Sequence, residues 1–145
     1  MRDDVKICAH PYAYTRLRED RDLYAQAELI FADFKVAGLD GIELMHTMLE
    51  ADEAVERLGE LSARHDLPII GTSFGMNMWD ATQSAEALER GERVLDQVQA
   101  LGGYQMGTST GSAGDKKTPE QLDTQAETLR RMIALAEERG ITLNL

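Results

Sequence analysis

The chain has 145 residues and a mass of 16.1 kDa, enough for one real core and too little for two ordinary domains. Its 43% hydrophobic and 28% charged residues give the profile of a folded domain and not of a disordered one. A single cysteine, Cys8, excludes an intrachain disulfide framework and fits a reducing compartment, and a net charge of −11 argues against a nucleic-acid partner gripped through a basic footprint.

No apolar run approaches the roughly 18 residues of a membrane span. Met1 to Val5 lead directly into a strand pattern with no signal-peptide core, so a cytoplasmic protein with no membrane partner is expected.

In chain order, Lys6-Ile-Cys-Ala9 is a short β-compatible run that ends at His10-Pro11, where proline interrupts a ladder. Tyr12 to Asp22 then reads as a long polar loop. From Leu23 the period becomes helical: Leu23, Ala27, Ile30, Phe31 and Phe34 share one stripe, and Gly38 suits the C′ position. Gly41-Ile-Glu-Leu44 is the second strand. The next helix carries Ala51, Val55, Leu58 and Leu61, with Asp52 and Glu53 expected in its first turn.

Leu67 to Ser73 is the third strand, with Pro68 near its start. Asp80-Ala-Thr-Gln83 can form a capping box for a third helix whose stripe is Leu88, Leu95, Val98 and Leu101. Tyr104 to Thr108 is the fourth strand. Thr118-Pro119-Glu120-Gln121 supplies N-cap, N1 proline and N3 glutamine for a fourth helix with the apolar face Leu122, Ala126, Leu129, Ile133 and Ala136. Gly140 ends it, and Ile141 to Leu145 reads as a fifth strand at whose end an active-site loop would begin.

Strands alternating with helices imply parallel pairing through right-handed crossovers, an α/β fold. A doubly wound sheet and a closed barrel share this pattern, and periodicity does not choose between them.

Three strings carry a resemblance: Gly38-Leu-Asp-Gly-Ile-Glu-Leu44 after the first helix, Gly102-Gly-Tyr-Gln-Met-Gly107 after the third, and Ala136-Glu-Glu-Arg-Gly-Ile-Thr-Leu-Asn-Leu145 at the end. In order and spacing they resemble the xylose-isomerase-like TIM barrel superfamily of sugar phosphate isomerases and epimerases. The resemblance implies a (β/α)₈ barrel. Residues 1–145 would be its first half, parallel (β/α) units from β1 to β5, cut after the fifth strand. It also implies a divalent cation in the full-length protein, manganese or magnesium with zinc a third choice, held mainly by residues at the ends of the fifth and later strands. This chain alone would then hold no complete metal site, and neither metal ligands nor a catalytic base can be assigned in it. An isolated half barrel would expose unpaired strand edges and an open apolar interior, so self-association or a complementary half-barrel chain is expected.

Six residues are candidates for substrate contact. His10 lies at the carboxyl end of the first strand, where an imidazole suits proton transfer or ligation; otherwise it caps or packs beside Pro11. Glu43 sits inside an apolar strand, where an unpaired carboxylate is expensive. It belongs either to a polar pocket floor or to an ion pair with Lys6 or an arginine of the first loop. His46 follows in the loop, where it faces the same mouth or solvent. His65 ends a helix and reads as structural. Trp79, with Met76 and Met78, either stacks on a sugar or closes the barrel top, and Tyr12 and Tyr14 invite the same two readings. The loop from Gly107 to Lys117, with Ser109 and Lys116, is a phosphate cradle or a plain surface loop.

The functional expectation is a metal-dependent isomerase or epimerase of a sugar, sugar phosphate or polyol, incomplete and inactive as this chain alone. Its chemistry would be a proton shift next to a carbonyl. An abasic-site endonuclease-like barrel and an inactive, oligomerising half-barrel scaffold are the alternatives.

Overall fold

The computed structural model describes residues 5–17 and 21–145. The strands are β1 (Cys8–Ala9), β2 (Gly41–Met45), β3 (Ile69–Gly75), β4 (Gln105–Ser109) and β5 (Thr142–Asn144). The helices are α1 (Tyr14–Leu17), α2 (Ala27–Val36), α3 (Ala54–His65), α4 (Ser84–Ala100) and α5 (Pro119–Glu138). The strands form one parallel sheet in the order β1-β2-β3-β4-β5. A doubly wound sheet reverses its order at a switch point. Sequential order with right-handed crossovers instead keeps the helices on one face. The architecture is the first half of a TIM barrel.

The helix-facing side is closed by Ile42, Leu44, Phe74 and Met106 of the strands against Ile30, Phe31, Leu58, Leu95 and Met132 of the helices, all buried. Between β2 and β3 the register slips, Ile42 pairing Ile69 and Glu43 pairing Gly71. The extra residue, Ile70, lets both strands present Ile69, Thr72 and Phe74 to the helices beside Ile42 and Leu44. Gly91 of α4 is a close approach: a Cβ there would collide with Met132 of α5.

Several local expectations shift. The stretch from Tyr12 is not a plain loop: it contains a 3-10 turn, Pro11–Ala13, and the short α1, while residues 18–20 of it lie outside the described residues. Leu23 is buried but precedes α2, in a turn closed by Asp22 Oδ1, which accepts from the Tyr24 and Ala25 amides at 2.9 and 3.1 Å. Ala51, Asp52 and Glu53 likewise precede α3.

At Asp80 no capping box forms. The carboxylate accepts from Thr82 N–H at 2.9 Å and the Gln83 side chain at 2.7 Å, making an Asx turn after which α4 starts at Ser84. The box at Thr118 does form, with Gln121 N–H to Thr118 Oγ1 at 3.3 Å and Thr118 N–H to Gln121 Oε1 at 2.9 Å.

The buried face of α5 is rotated from the apolar stripe. Thr128, Met132 and Ala136 are buried, whereas Leu122 and Ile133 are 50% and 37% exposed. Thr128 passes as an apolar position because its hydroxyl donates to the Thr124 carbonyl at 2.9 Å. Arg139 fastens α5 to α4, donating to Asp96 at 2.6 Å and Glu92 at 3.0 Å. Among the described residues no helix is long and apolar enough to cross a membrane.

Candidate functional site at the carboxyl ends of the strands

Alternation along the strands decides which side chains leave the helix layer. With Ile42 and Leu44 buried under helices, Glu43 and Met45 project from the opposite, inner face. By the same count so do Ser73 of β3, Gln105, Gly107 and Ser109 of β4, and Thr142 and Asn144 of β5. Toward the strand ends this face is polar, but Met45, Ile70 and Cys8 keep part of it apolar, Ile70 Cγ2 and Cys8 Sγ lying 2.9 and 3.1 Å from where a Gly41 Cβ would stand.

Glu43 is half-buried, and among the described residues it makes no hydrogen bond and no ion pair, with Lys6 or with an arginine. Gly107 gives it room: a Cβ there would stand 3.2 Å from Glu43 Oε1, so the carboxylate reaches across β3 to β4.

His10 comes to the same face from the end of β1. Its ring spans two jobs, with Nε2 2.9 Å from Ser73 Oγ and Nδ1 3.3 Å from the Tyr12 amide, which donates to it. Burial lowers its pKa, and the nearby Glu43 charge acts in the opposite direction. Burial likewise raises the Cys8 thiol, with Asp40 adding to the shift.

His46 reaches Ser73 from another side. Its Nδ1 lies 3.2 Å from the Ser73 carbonyl, which only accepts, so Nδ1 carries the proton. The ring packs edge-on against Phe74 with 5.3 Å between centroids, and burial lowers its pKa against the hydrogen bond that raises it. It lines a cleft of about 420 Å³ with Leu49, Glu50, Arg90, Arg93 and Gln97, between the end of β2 and α4. His10 and Glu43 therefore share the inner face, whereas His46 also borders this cleft.

The other candidates separate. Trp79 is half-buried, and its indole nitrogen is buried with no hydrogen-bond partner among the described residues. Met78 is fully buried, a packing residue. Tyr12 is exposed, while Tyr14 is tied to α2 by a 2.8 Å bond to Asp33. That bond and burial push its hydroxyl up to about 12, burial first. His65 joins α3 to α2 through Glu28 at 2.8 Å.

Ser109 is exposed at the end of β4, and Lys116 points to solvent. Lys117 is the lysine turned inward, donating to Gln125 Oε1 at 2.5 Å and Thr110 Oγ1 at 3.2 Å. The loop that carries them is docked on the loop after β3, with Met76 and Met78 amides donating to the Ser109 and Thr110 carbonyls, both at 3.2 Å. An anion at the start of α5 would meet Glu120, and the Gln121 amide there is already used by Thr118.

Ser73, Gln105 and Lys117 were not singled out from the sequence. The signal for Ser73 was its place two residues beyond Gly71 in a strand whose alternate positions are apolar. Nothing distinguished Lys117 from Lys116.

Solved structures share this fold. D-allulose 3-epimerase from Methylomonas sp. superposes with a TM-score of 0.78 at 19% identity, over 96% of this chain and 50% of the epimerase. An L-ribulose 3-epimerase gives a TM-score of 0.77 at 22% identity, over 97% and 49%. A probable 3-DHS dehydratase from Bacillus anthracis gives 0.71 at 15% identity, over 96% and 51%. The chain spans about half the length of these relatives, and at such identities the likeness shows the fold alone. No curated protein matches the chain in sequence. The profile described as "Xylose isomerase-like TIM barrel" matches residues 31–145. The chain belongs to that family.

Proposed function

We propose that this chain is the strand-one-to-five half of a (β/α)₈ isomerase or epimerase that acts on a sugar, sugar phosphate or related polyol. The observation that carries the reading is the inner face: Glu43, His10 and Ser73 gather there at the strand ends, and Glu43 serves no structural pairing. A carboxylate left half-buried without a partner is costly for the fold, so a ligand is its natural complement. The names of structural relatives, 3-epimerases of ketoses among them, support the same class.

In this reading a base removes the proton next to the ketose carbonyl and returns one at the epimeric or neighbouring carbon. The residues here bind and orient the substrate, and the base comes from a later strand of the barrel. The cation is the family's implied partner. Among the described residues no three His, Cys, Asp or Glu side chains converge as a site would require, and the later strands would supply most of its ligands. The open inner face is completed by further barrel strands, from the same polypeptide or from an associated chain, in the cytoplasm. No observation of the site favours the abasic-DNA reading, since His46 borders the outer cleft and the chain is acidic.

The test is solvent exchange. The complete polypeptide carrying this segment, supplied with manganese or magnesium, should place deuterium from D₂O next to the carbonyl of a ketohexose such as D-allulose or of its phosphate. Glu43→Gln should lower kcat/KM by about tenfold or more, the loss of a charged hydrogen bond. Absence of exchange across a panel of ketoses and ketose phosphates, with the barrel folded and metal supplied, would sink this reading.

A further inference from the structure

The two nitrogens of His10 restrict where the proton of Ser73 can go. Nδ1 accepts the Tyr12 N–H at 3.3 Å, and a ring nitrogen that accepts carries no proton of its own. The neutral ring is then protonated at Nε2, which donates to Ser73 Oγ at 2.9 Å. Ser73 Oγ is thus an acceptor toward His10, and its own hydrogen must point elsewhere. Among the described residues the Ser73 hydroxyl has no other partner. It stands on the inner face, next to the strand that carries Glu43, with Met45 and Ser73 in register and Glu43 beside Gly71.

We propose that His10 is a positioning residue. It fixes Ser73 as a hydroxyl donor aimed into the open inner face, so that Ser73 donates to one substrate oxygen while Glu43 accepts from a neighbouring hydroxyl. The pair is suited to adjacent oxygens of a sugar, one offered as acceptor and one as donor. This assignment rests on the sugar reading above and adds to it a residue, Ser73, and a polarity.

His10 also caps the turn Pro11–Ala13 through Nδ1, so a merely structural role has to be separated from positioning. Two substitutions do this. Asparagine at position 10 places its carbonyl near Nδ1, where it can cap the turn, but is too short to reach Ser73. Glutamine places its amide N–H₂ near Nε2 and keeps the donor to Ser73. The experiment measures the imidazole ¹⁵N shifts of the complete polypeptide, its thermal midpoint, and its affinity for D-allulose by amide shift titration.

The expected results are the Nε2–H tautomer for His10, about tenfold weaker binding for His10→Asn with an unchanged thermal midpoint, and near wild-type binding for His10→Gln. A tenfold loss corresponds to about 1.4 kcal/mol. Ser73→Ala should weaken binding as much as His10→Asn, and the double variant should be no weaker than Ser73→Ala alone. An Nδ1–H tautomer, a His10→Asn variant that binds like wild type, or additive losses in the double variant would each overturn the assignment. If the folded wild type binds no ketose, the sugar reading itself falls, and the role of His10 is decided by its tautomer.

Discussion

Ser73 and Phe74 are consecutive in β3, yet they answer to different demands. Phe74 is 2% exposed and packs toward Gly91 of α4 in the layer that holds the sheet to its helices. Ser73 faces the other way, half-buried, with a histidine on its hydroxyl and another on its carbonyl. The same contrast separates Leu44 from Glu43 and Met106 from Gly107. On the helix side, identity follows from volume and burial. On the inner side, close approach explains the glycines, Gly71 against Gln105 and Gly107 against Glu43, but not Glu43 or Ser73, and a half-buried carboxylate works against the fold. Residues whose presence costs stability are the ones to read for chemistry.

The sharpest way to break this contrast is to truncate both neighbours. Phe74→Ala should destabilise the chain by about 3–5 kcal/mol, the cost of emptying a core aromatic site. Ser73→Ala should cost less than about 1 kcal/mol, because the lost hydrogen bond is half-exposed. Urea denaturation at neutral pH reads both values. Comparable losses at the two positions would mean that the inner face is part of the core after all.

Next in size is the clamp that holds the end of α5 to α4. Arg139 donates to Asp96, Glu92 and the Leu135 carbonyl, the first at 2.6 Å, and its side chain is 14% exposed. Its carboxylate partners are each about half exposed or more, so solvent screens much of the Coulomb attraction. Arg139→Ala should therefore cost about 1–2 kcal/mol, with added salt weakening wild type more than the variant. A salt-independent difference would assign the effect to the alkyl stem packing and not to charge.

The fold was legible because helix and strand periods differ and because the caps are chemical. All five strands and the four longer helices overlap the apolar runs and stripes, although α2 and α3 begin later than their stripes do and α4 later than its expected cap, and Thr118-Pro119-Glu120-Gln121 forms the box its letters describe. What periodicity left undecided, an open doubly wound sheet or a barrel arc, depends on strand order, which no local pattern encodes. The face of α5 was misread because Thr128 hides its hydroxyl on its own helix and so counts as apolar. The site was legible only where one residue stood out of its context: Glu43 in an apolar strand and His10 before a proline. Ser73 becomes informative only when β1 and β3 are brought across β2, a contact between residues 63 positions apart.

A smaller effect, and of opposite sign, is expected at Glu43. Glu43→Leu removes a half-buried charge that has no hydrogen-bond or ion-pair partner among the described residues, so stability should stay level or rise by about 1 kcal/mol. Ketose binding should fall in the same variant. Stability and function moving apart at one position is the signature of the inner face. A clear loss of stability would instead reveal a structural partner for the carboxylate.

The smallest effect concerns pH and tests whether the two histidines at Ser73 are buried as neutral rings. Burial lowers the pKa of both, against Glu43 for His10 and against the Ser73 carbonyl and Glu50 for His46, with Arg90 adding to the lowering at His46. The unfolded chain then takes up protons more readily than the folded one as the medium is acidified. A folded-state pKa below the ordinary 6.5 means the contribution is fully present above about pH 6.5 and is lost as pH falls through the lowered values. The depressed carboxyls of Glu28, Asp80 and Glu120 act in the same direction but only further down, below their ordinary 4.5, 3.8 and 4.5. Between about pH 6.5 and pH 5 the slope thus belongs chiefly to the imidazoles. Unfolding free energies measured across that window should decline with acidification in the wild type, less steeply in His10→Asn and in His46→Asn, and least in the double variant. A wild-type profile that is flat there would place both rings in contact with water and remove the basis for a neutral, tautomer-fixed His10.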